Sequence, residues 1–182
     1  MMAIGNLDKV HLPNGITSDY DYDAMDRLDL LTHLKPDGTK LATFKYTLRA
    51  DGKRTQEVKG TDFVLGEATK TLTFNWTYDA VGRLKTETID DSAADSLGRT
   101  TTWAYDLTGN RVEQIIDMGS DGALTADETI SYSYNNLDQL TVETSDTNSD
   151  GTPEQTTTYT YTGTQQTGKL VENDSTGTDL SS

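Results

Sequence analysis

The sequence contains no cysteine, three prolines and only 15 basic residues against 30 acids, for a formal net charge of −15 over 182 residues. The missing thiols exclude disulfides, thiolate catalysis and Cys-ligated zinc, and leave the compartment open. No apolar run approaches the ~18 residues of a membrane-spanning helix, and Met1 to Asn14 lacks the continuous apolar stretch of a secretory signal, so any export signal is expected outside these residues. The shortage of bases leaves no footprint for nucleic acid or anionic lipid and turns attention to cationic partners, calcium above all. Leu, Ile, Val and Phe together number 34, about 19% of the chain, which with this charge matches the composition of a disordered protein.

The residues that are present point the other way. Thr occurs 32 times, and with Val and Ile gives 45 β-branched residues, the type suited to a pleated, half-buried surface. Of 14 aromatic residues, 13 fall in six clusters at alternate positions: Tyr20/Tyr22, Phe44/Tyr46, Phe74/Trp76/Tyr78, Trp103/Tyr105, Tyr132/Tyr134 and Tyr159/Tyr161. Each cluster leads into a related segment: Tyr22-Asp-Ala-Met-Asp-Arg27-Leu28, Leu48-Arg-Ala-Asp-Gly52-Lys53-Arg54, Tyr78-Asp-Ala-Val-Gly82-Arg83-Leu84, Tyr105-Asp-Leu-Thr-Gly109-Asn-Arg111, and Tyr134-Asn-Asn-Leu-Asp138-Gln139-Leu140. A sixth copy, from Tyr161, is degenerate. The anchors Tyr22, Leu48, Tyr78, Tyr105, Tyr134 and Tyr161 lie 26, 30, 27, 29 and 27 residues apart, so the chain is a repeat.

Within each repeat the period is two. Leu72, Phe74, Trp76 and Tyr78 share one parity and Thr71, Thr73, Asn75 and Thr77 the other, which predicts a strand with one aromatic and one hydroxylated face. The return strands are expected to alternate in the same way through Leu28, Leu30 and Leu34, through Val112 and Ile116, and through Leu140, Val142 and Thr144. Each repeat therefore reads as a strand, a five-residue tip, a return strand and a polar connection. At the tip, Asp23, Asp79 and Asp106 follow the anchor, where a carboxylate accepts backbone N–H groups. Position four holds Asp26, Gly52, Gly82, Gly109 or Asp138, types that tolerate positive φ. Position five carries Arg27, Lys53 or Arg83, expected to meet the acid four residues earlier; in the fifth repeat acid and base become Asn135 and Gln139 together.

These units, Tyr-Asp-x-x-Gly-Arg-Leu and Tyr-Asp-x-x-Gly-Asn-Arg with aromatic residues Trp76, Trp103, Tyr132 and Tyr159 two positions before their anchors, resemble the YD repeats of the RHS superfamily over about residues 15 to 170. The resemblance implies an all-β array of antiparallel hairpins forming a curved, spiral sheet, here an open fragment of a shell. It also implies a non-enzymatic scaffold. In bacteria such walls enclose a C-terminal toxin, and the animal teneurins use a related barrel in cell adhesion. The implied partners are the rest of a shell, its cargo, or a glycan or cell-surface protein, and the implied location is extracellular or at the cell envelope. No Asp-Pro-x-Gly core motif, toxin domain or delivery module is found. The organisation expected is a lead-in over 1–14, the array over 15–170, an insertion at 60–70 with Phe63 and Val64 packing over an edge, and a frayed tail over 171–182.

Two connections carry acids at the spacing of calcium ligands. Asp117, Asp121 and Glu128 occupy positions 1, 5 and 12 of an EF-hand-like loop with Gly122 at position 6; Asp146, Asn148, Asp150 and Glu154 occupy positions 1, 3, 5 and 9 of a second. The competing reading is a plain Asp-Gly turn, as at Asp37-Gly38 and Asp51-Gly52. Catalytic signals are weak. His11 and His33 lie in no metal-ligand or nucleophile spacing, no phosphate-binding loop occurs, and Asp90, Asp91 and Asp95 read as a solvated Ser/Ala-rich connection. A row of exposed Trp76 and Trp103 side chains would instead favour a binding module.

Overall fold

The computed structural model describes residues 5–61, 70–91, 98–119 and 126–173, all strand, turn or connection and none of it helix. Thirteen strands follow in chain order: β1 Lys9–His11, β2 Thr17–Tyr22, β3 Leu28–Leu34, β4 Lys40–Leu48, β5 Arg54–Thr61, β6 Lys70–Tyr78, β7 Leu84–Asp91, β8 Arg99–Tyr105, β9 Arg111–Asp117, β10 Glu128–Tyr134, β11 Leu140–Asp146, β12 Gln155–Thr162 and β13 Gln165–Asn173. They divide into two compact units, Met1–Gly98 and Arg99–Ser182. In the first, β1 to β7 pair antiparallel in sequence order; in the second, β8 to β13 do the same. No pairing among the described residues joins β1 to β7 or β8 to β13, so neither run of strands closes on itself.

The six repeats are the hairpins β2–β3, β4–β5, β6–β7, β8–β9, β10–β11 and β12–β13. In the first five the anchor pairs with the residue six positions on (Tyr22↔Leu28, Leu48↔Arg54, Tyr78↔Leu84, Tyr105↔Arg111, Tyr134↔Leu140), which encloses the expected five-residue tip. The sixth closes more tightly, with Thr162↔Gln165 across Gly163 and Thr164.

Every hairpin also carries a β-bulge just beyond its tip. The register steps by one residue on the outgoing strand and by two on the return strand, leaving Asp29, Thr55, Lys85, Val112, Thr141 and Thr167 unpaired. Because directly paired residues share a face, the bulge reverses parity and corrects the alternation expected for the return strands. Leu28 lies on the face of Tyr22, but Leu30 pairs with Asp21 on the opposite face. Likewise Leu140 sides with Tyr134, whereas Val142 and Thr144 side with Ser133 and Ser131.

Other differences also follow from pairing. Asp90 and Asp91 belong to β7, opposite Thr73 and Leu72, and are not part of a solvated connection. β13 runs on to Asn173, three residues into the expected tail, because its backbone still pairs with Gln155 to Thr157. Phe63, Val64 and Asp95 lie outside the described residues. The core is thin: Tyr132, at 9% exposure, is the buried hydrophobic residue among those described, while Ser18, Thr32, Thr101 and Thr157 are buried polar residues. A single sheet layer leaves most side chains half-buried, so hydroxyls and rings share the work that aliphatic residues perform in a two-layer core.

Candidate functional site

The repeat signature is a set of joints. In each five-residue tip the first residue's N–H donates to the fifth residue's carbonyl, from Asp23 to Arg27 at 2.8 Å through Asn135 to Gln139 at 3.0 Å, and the fourth residue's N–H returns to the first residue's carbonyl. Position four takes positive φ throughout: 59° at Asp26, 84° at Gly52, 87° at Gly82, 106° at Gly109 and 56° at Asp138. The side chain of the first residue closes the turn. Asp23 Oδ1 accepts the Met25 and Arg27 N–H groups at 2.8 and 3.0 Å while its Oδ2 takes Arg27 Nε at 2.8 Å. Asp79 does the same with Val81 and Arg83, the last through Nε at 2.6 Å. In the fifth tip Asn135 accepts from Leu137 and Gln139 and donates Nδ2–H to Gln139 Oε1 at 2.7 Å, so an amide pair takes the place of the ion pair with the direction of the side-chain hydrogen bond reversed.

The second tip departs from this scheme. Its first residue is Arg49, so Lys53 has no acid four residues before it. The acid is Asp51 at position three, bonded to Arg49 Nη2 at 2.9 Å and to Lys53 Nζ at 3.5 Å. The hydrogen bond from Arg27 holds the Asp23 carboxyl below its ordinary range, and Thr108 does the same for Asp106. At Asp79 desolvation pushes upward, and the bonds from Arg83 outweigh it to leave the carboxyl lowered.

Two further contacts join one repeat to the next. The position-five side chain reaches forward: Arg27 Nη1 to the Arg49 carbonyl at 2.6 Å, Asn110 Nδ2 to Asp138 Oδ1 at 2.8 Å, and Gln139 Nε2 to the Gly163 carbonyl at 2.8 Å. The anchor tyrosine reaches back. Tyr78, Tyr134 and Tyr161 donate their hydroxyls to the carbonyls of Arg54, Arg111 and Leu140 at 2.7, 2.8 and 2.7 Å, in each case position six of the preceding repeat, beside its bulged residue. Tyr22, the first of the six anchors, donates to Leu7 O at 2.9 Å.

On the aromatic face, cations lie over the rings. Arg54 sits 4.6 Å from the Tyr46 ring and 5.6 Å from Trp76; Lys59 sits 5.4 Å from Phe44 and 6.0 Å from Phe74. Phe74 and Trp76 stack at 5.9 Å. In the second unit Arg111 covers Tyr132 at 4.5 Å and donates to its hydroxyl at 3.1 Å, and Lys169 covers Tyr159 at 5.8 Å. Strict alternation assigns Arg54 and Lys59 to opposite faces, which conceals this ladder in the sequence; the bulge at Thr55 puts them on one face. Trp76 and Trp103 are half-buried, with their indole N–H groups committed to Glu87 at 2.9 Å and Gln114 at 3.2 Å. His11 and His33 each bond a hydroxyl, of Thr17 and Ser18 respectively, at 2.9 Å.

Of the expected metal ligands, the structure gathers one set. Asp146, Asp150 and Glu154 each bring a carboxylate oxygen within 4.8 Å of the others, a cluster that could hold a metal ion. Asn148 lies among them in sequence and accepts the Asp150 N–H at 2.9 Å. The other set is not gathered among the described residues. Asp117 accepts the Gly119 N–H at 2.8 Å, Glu128 accepts the Ser145 hydroxyl at 2.9 Å, and Asp121 lies outside the described residues. An open depression beside the fourth and fifth tips is lined by Asp106, Asn110, Tyr132, Tyr134 and Asp138; Asp106 and Asp138 are both engaged in the tip bonds above. No described helix is long and apolar enough to cross a membrane.

No protein-family model matches the chain, and neither does any curated protein. Among solved structures, the Photorhabdus luminescens Tc holotoxin pore with a TccC3 mutation matches at 13% identity and a TM-score of 0.29, over 92% of this chain and 12% of that one. A TcdB2-TccC3-Cdc42 crystal structure matches at 12% identity and a TM-score of 0.30, again over 92% and 12%. A porin-like protein from Bacteroides uniformis ATCC 8492 matches at 11% identity and a TM-score of 0.24, over 90% of this chain and 92% of that one. This chain thus spans about an eighth of the length of the Tc chains. Superpositions this loose carry no weight for fold or function.

Proposed function

We propose that the chain is a non-enzymatic wall segment of the RHS/YD type, extracellular or at the cell envelope, whose complete form encloses or displays an effector. The observation that carries this reading is the fate of the signature residues. Tyrosine, acid, glycine and base are all consumed in closing a tip or in joining one hairpin to the next, as expected of a code for building wall rather than for meeting a substrate. The alternative, a glycan- or protein-binding module, draws on the aromatic face. Against it, the tryptophan N–H groups are occupied and cations cover several rings, whereas a stacking platform needs free ring faces.

The test is to substitute Trp76 and Trp103 by Ala singly in the full chain and to follow both thermal stability and binding on a glycan array. The scaffold reading expects a fall of several degrees in Tm and no saturable glycan binding in the parent. It fails if the parent binds a glycan that Trp103→Ala abolishes at unchanged Tm.

A further inference from the structure

The connection between β11 and β12 holds a feature that wall-building does not require. Asp146, the last residue of β11, is only 8% exposed. Its Oδ2 accepts the Gly151 N–H at 2.8 Å, but its Oδ1 is buried with no hydrogen-bond partner. A carboxylate oxygen cut off from both water and donors is costly, and native structures leave few such groups. The same carboxyl group faces two more, with one oxygen of each of Asp146, Asp150 and Glu154 within 4.8 Å of the others. Like charges this close repel, and among the described residues none of the three is paired with Lys, Arg or His. Nearby compensation is scarce, since Arg99–Ser182 contains three bases, Arg99, Arg111 and Lys169, against fourteen acids.

We propose that Asp146, Asp150 and Glu154 form a calcium site, with the Asp146 Oδ1 as its innermost ligand. The donor set is all oxygen, which selects a hard cation over the transition metals that favour imidazole or thiolate. Calcium accepts irregular shells of six to eight oxygens completed by carbonyls and water, which suits ligands carried on a connection; magnesium demands a small octahedron and keeps its waters. Asp150 is exposed and Glu154 partly so, giving the ion a path in from solvent. Asn148 accepts the Asp150 N–H, Asp150 the Thr152 N–H and Glu154 the Thr147 N–H, which shapes the connection around the cluster. Glu154 immediately precedes β12, so the ion ties the end of β11 to the start of β12, at the end of the hairpins away from the tips.

The test is calorimetric titration of the full chain with CaCl2, and separately with MgCl2, together with Tm in each salt. The expected result is one saturable calcium site in the submillimolar to millimolar range of extracellular modules, at least about tenfold weaker binding of magnesium, and a calcium-dependent rise in Tm. The exposed substitutions Asp150→Asn and Glu154→Gln should weaken calcium binding about tenfold or more. Without calcium they should leave Tm equal or higher, because repulsion is relieved. Absence of saturable binding up to about 10 mM calcium, or binding unchanged in the Asp150→Asn/Glu154→Gln double variant, overturns the proposal. So does an affinity that responds to Asp121→Asn and not to Asp150→Asn.

Discussion

The two units build the same hairpins from different electrostatics. Met1–Gly98 contains twelve bases against sixteen acids, a net of −4, whereas Arg99–Ser182 contains three against fourteen, a net of −11. The first unit closes its first and third tips with Asp–Arg pairs and lays Arg54 and Lys59 over its rings. The second closes its two five-residue tips with Asp106–Asn110 and Asn135–Gln139 bonds and links its three tips through Asn110 and Gln139. Tip hydrogen bonds, positive φ at position four and bulge placement persist in both. The repeat thus specifies geometry and donor–acceptor complementarity, and charge is one of two ways to meet it.

The largest expected effect sets the two tryptophans against each other. Trp76 stacks on Phe74 and lies under Arg54, so Trp76→Ala should cost about 2–3 kcal/mol in urea unfolding and Trp103→Ala nearer ~1.5 kcal/mol. Equal losses would mean that the Phe74 stack and the Arg54 cation together add nothing. Next come the tyrosine joints: Tyr78→Phe and Tyr134→Phe each remove one hydroxyl-to-carbonyl bond and should each cost about 1 kcal/mol, the same in either unit. A clear inequality would show that charge does tune the joint.

Position four offers a smaller contrast of opposite sign. Asp26→Gly relieves a left-handed Asp whose side chain makes only a long 3.5 Å contact with Asn6, and should be neutral or stabilising by up to ~1 kcal/mol. Asp138→Gly also loses the Asn110 joint and should be neutral to destabilising. Thermal unfolding of the pair separates backbone relief from the loss of the joint.

The smallest effect at neutral pH is the most specific. Asp23 is lowered chiefly by its bond from Arg27, so its folded carboxyl releases its proton more readily than the unfolded one. Its stabilisation is present above the unfolded value near ~4 and is lost as pH falls through the lower folded value. The double variant Asp23→Asn/Arg27→Gln imitates the fifth tip. It should match the parent in urea at pH 7 and lose less stability than the parent between pH 5 and the acid limit. An unchanged acid slope would remove the first tip from the pH response.

How much of this the sequence carried depends on the range of the interaction. Aromatic spacing and the tip residues are local, so the hairpins, the five-residue tips, the positive φ at position four and the Asp23–Arg27 and Asp79–Arg83 pairs are all legible in it. The bulges at Asp29, Thr55 and Thr141 are not. No residue type marks them, yet a one-residue slip moves every later side chain to the other face, which misplaced Leu30, Val142 and Thr144 and hid the alignment of Arg54 with Lys59. Both acidic connections look alike in sequence, and packing tells them apart by burying Asp146 and turning Glu128 to Ser145.

The sequence alone therefore determined that a chain poor in aliphatic residues and rich in charge is a β repeat, because alternation and turn chemistry act between residues close in the chain. Tertiary structure decided which faces those residues occupy, which tyrosine reaches which carbonyl, and which acids converge. Those outcomes depend on strand register, on burial and, for the tyrosine joints between repeats, on partners more than 20 residues away in sequence, which composition and period do not encode.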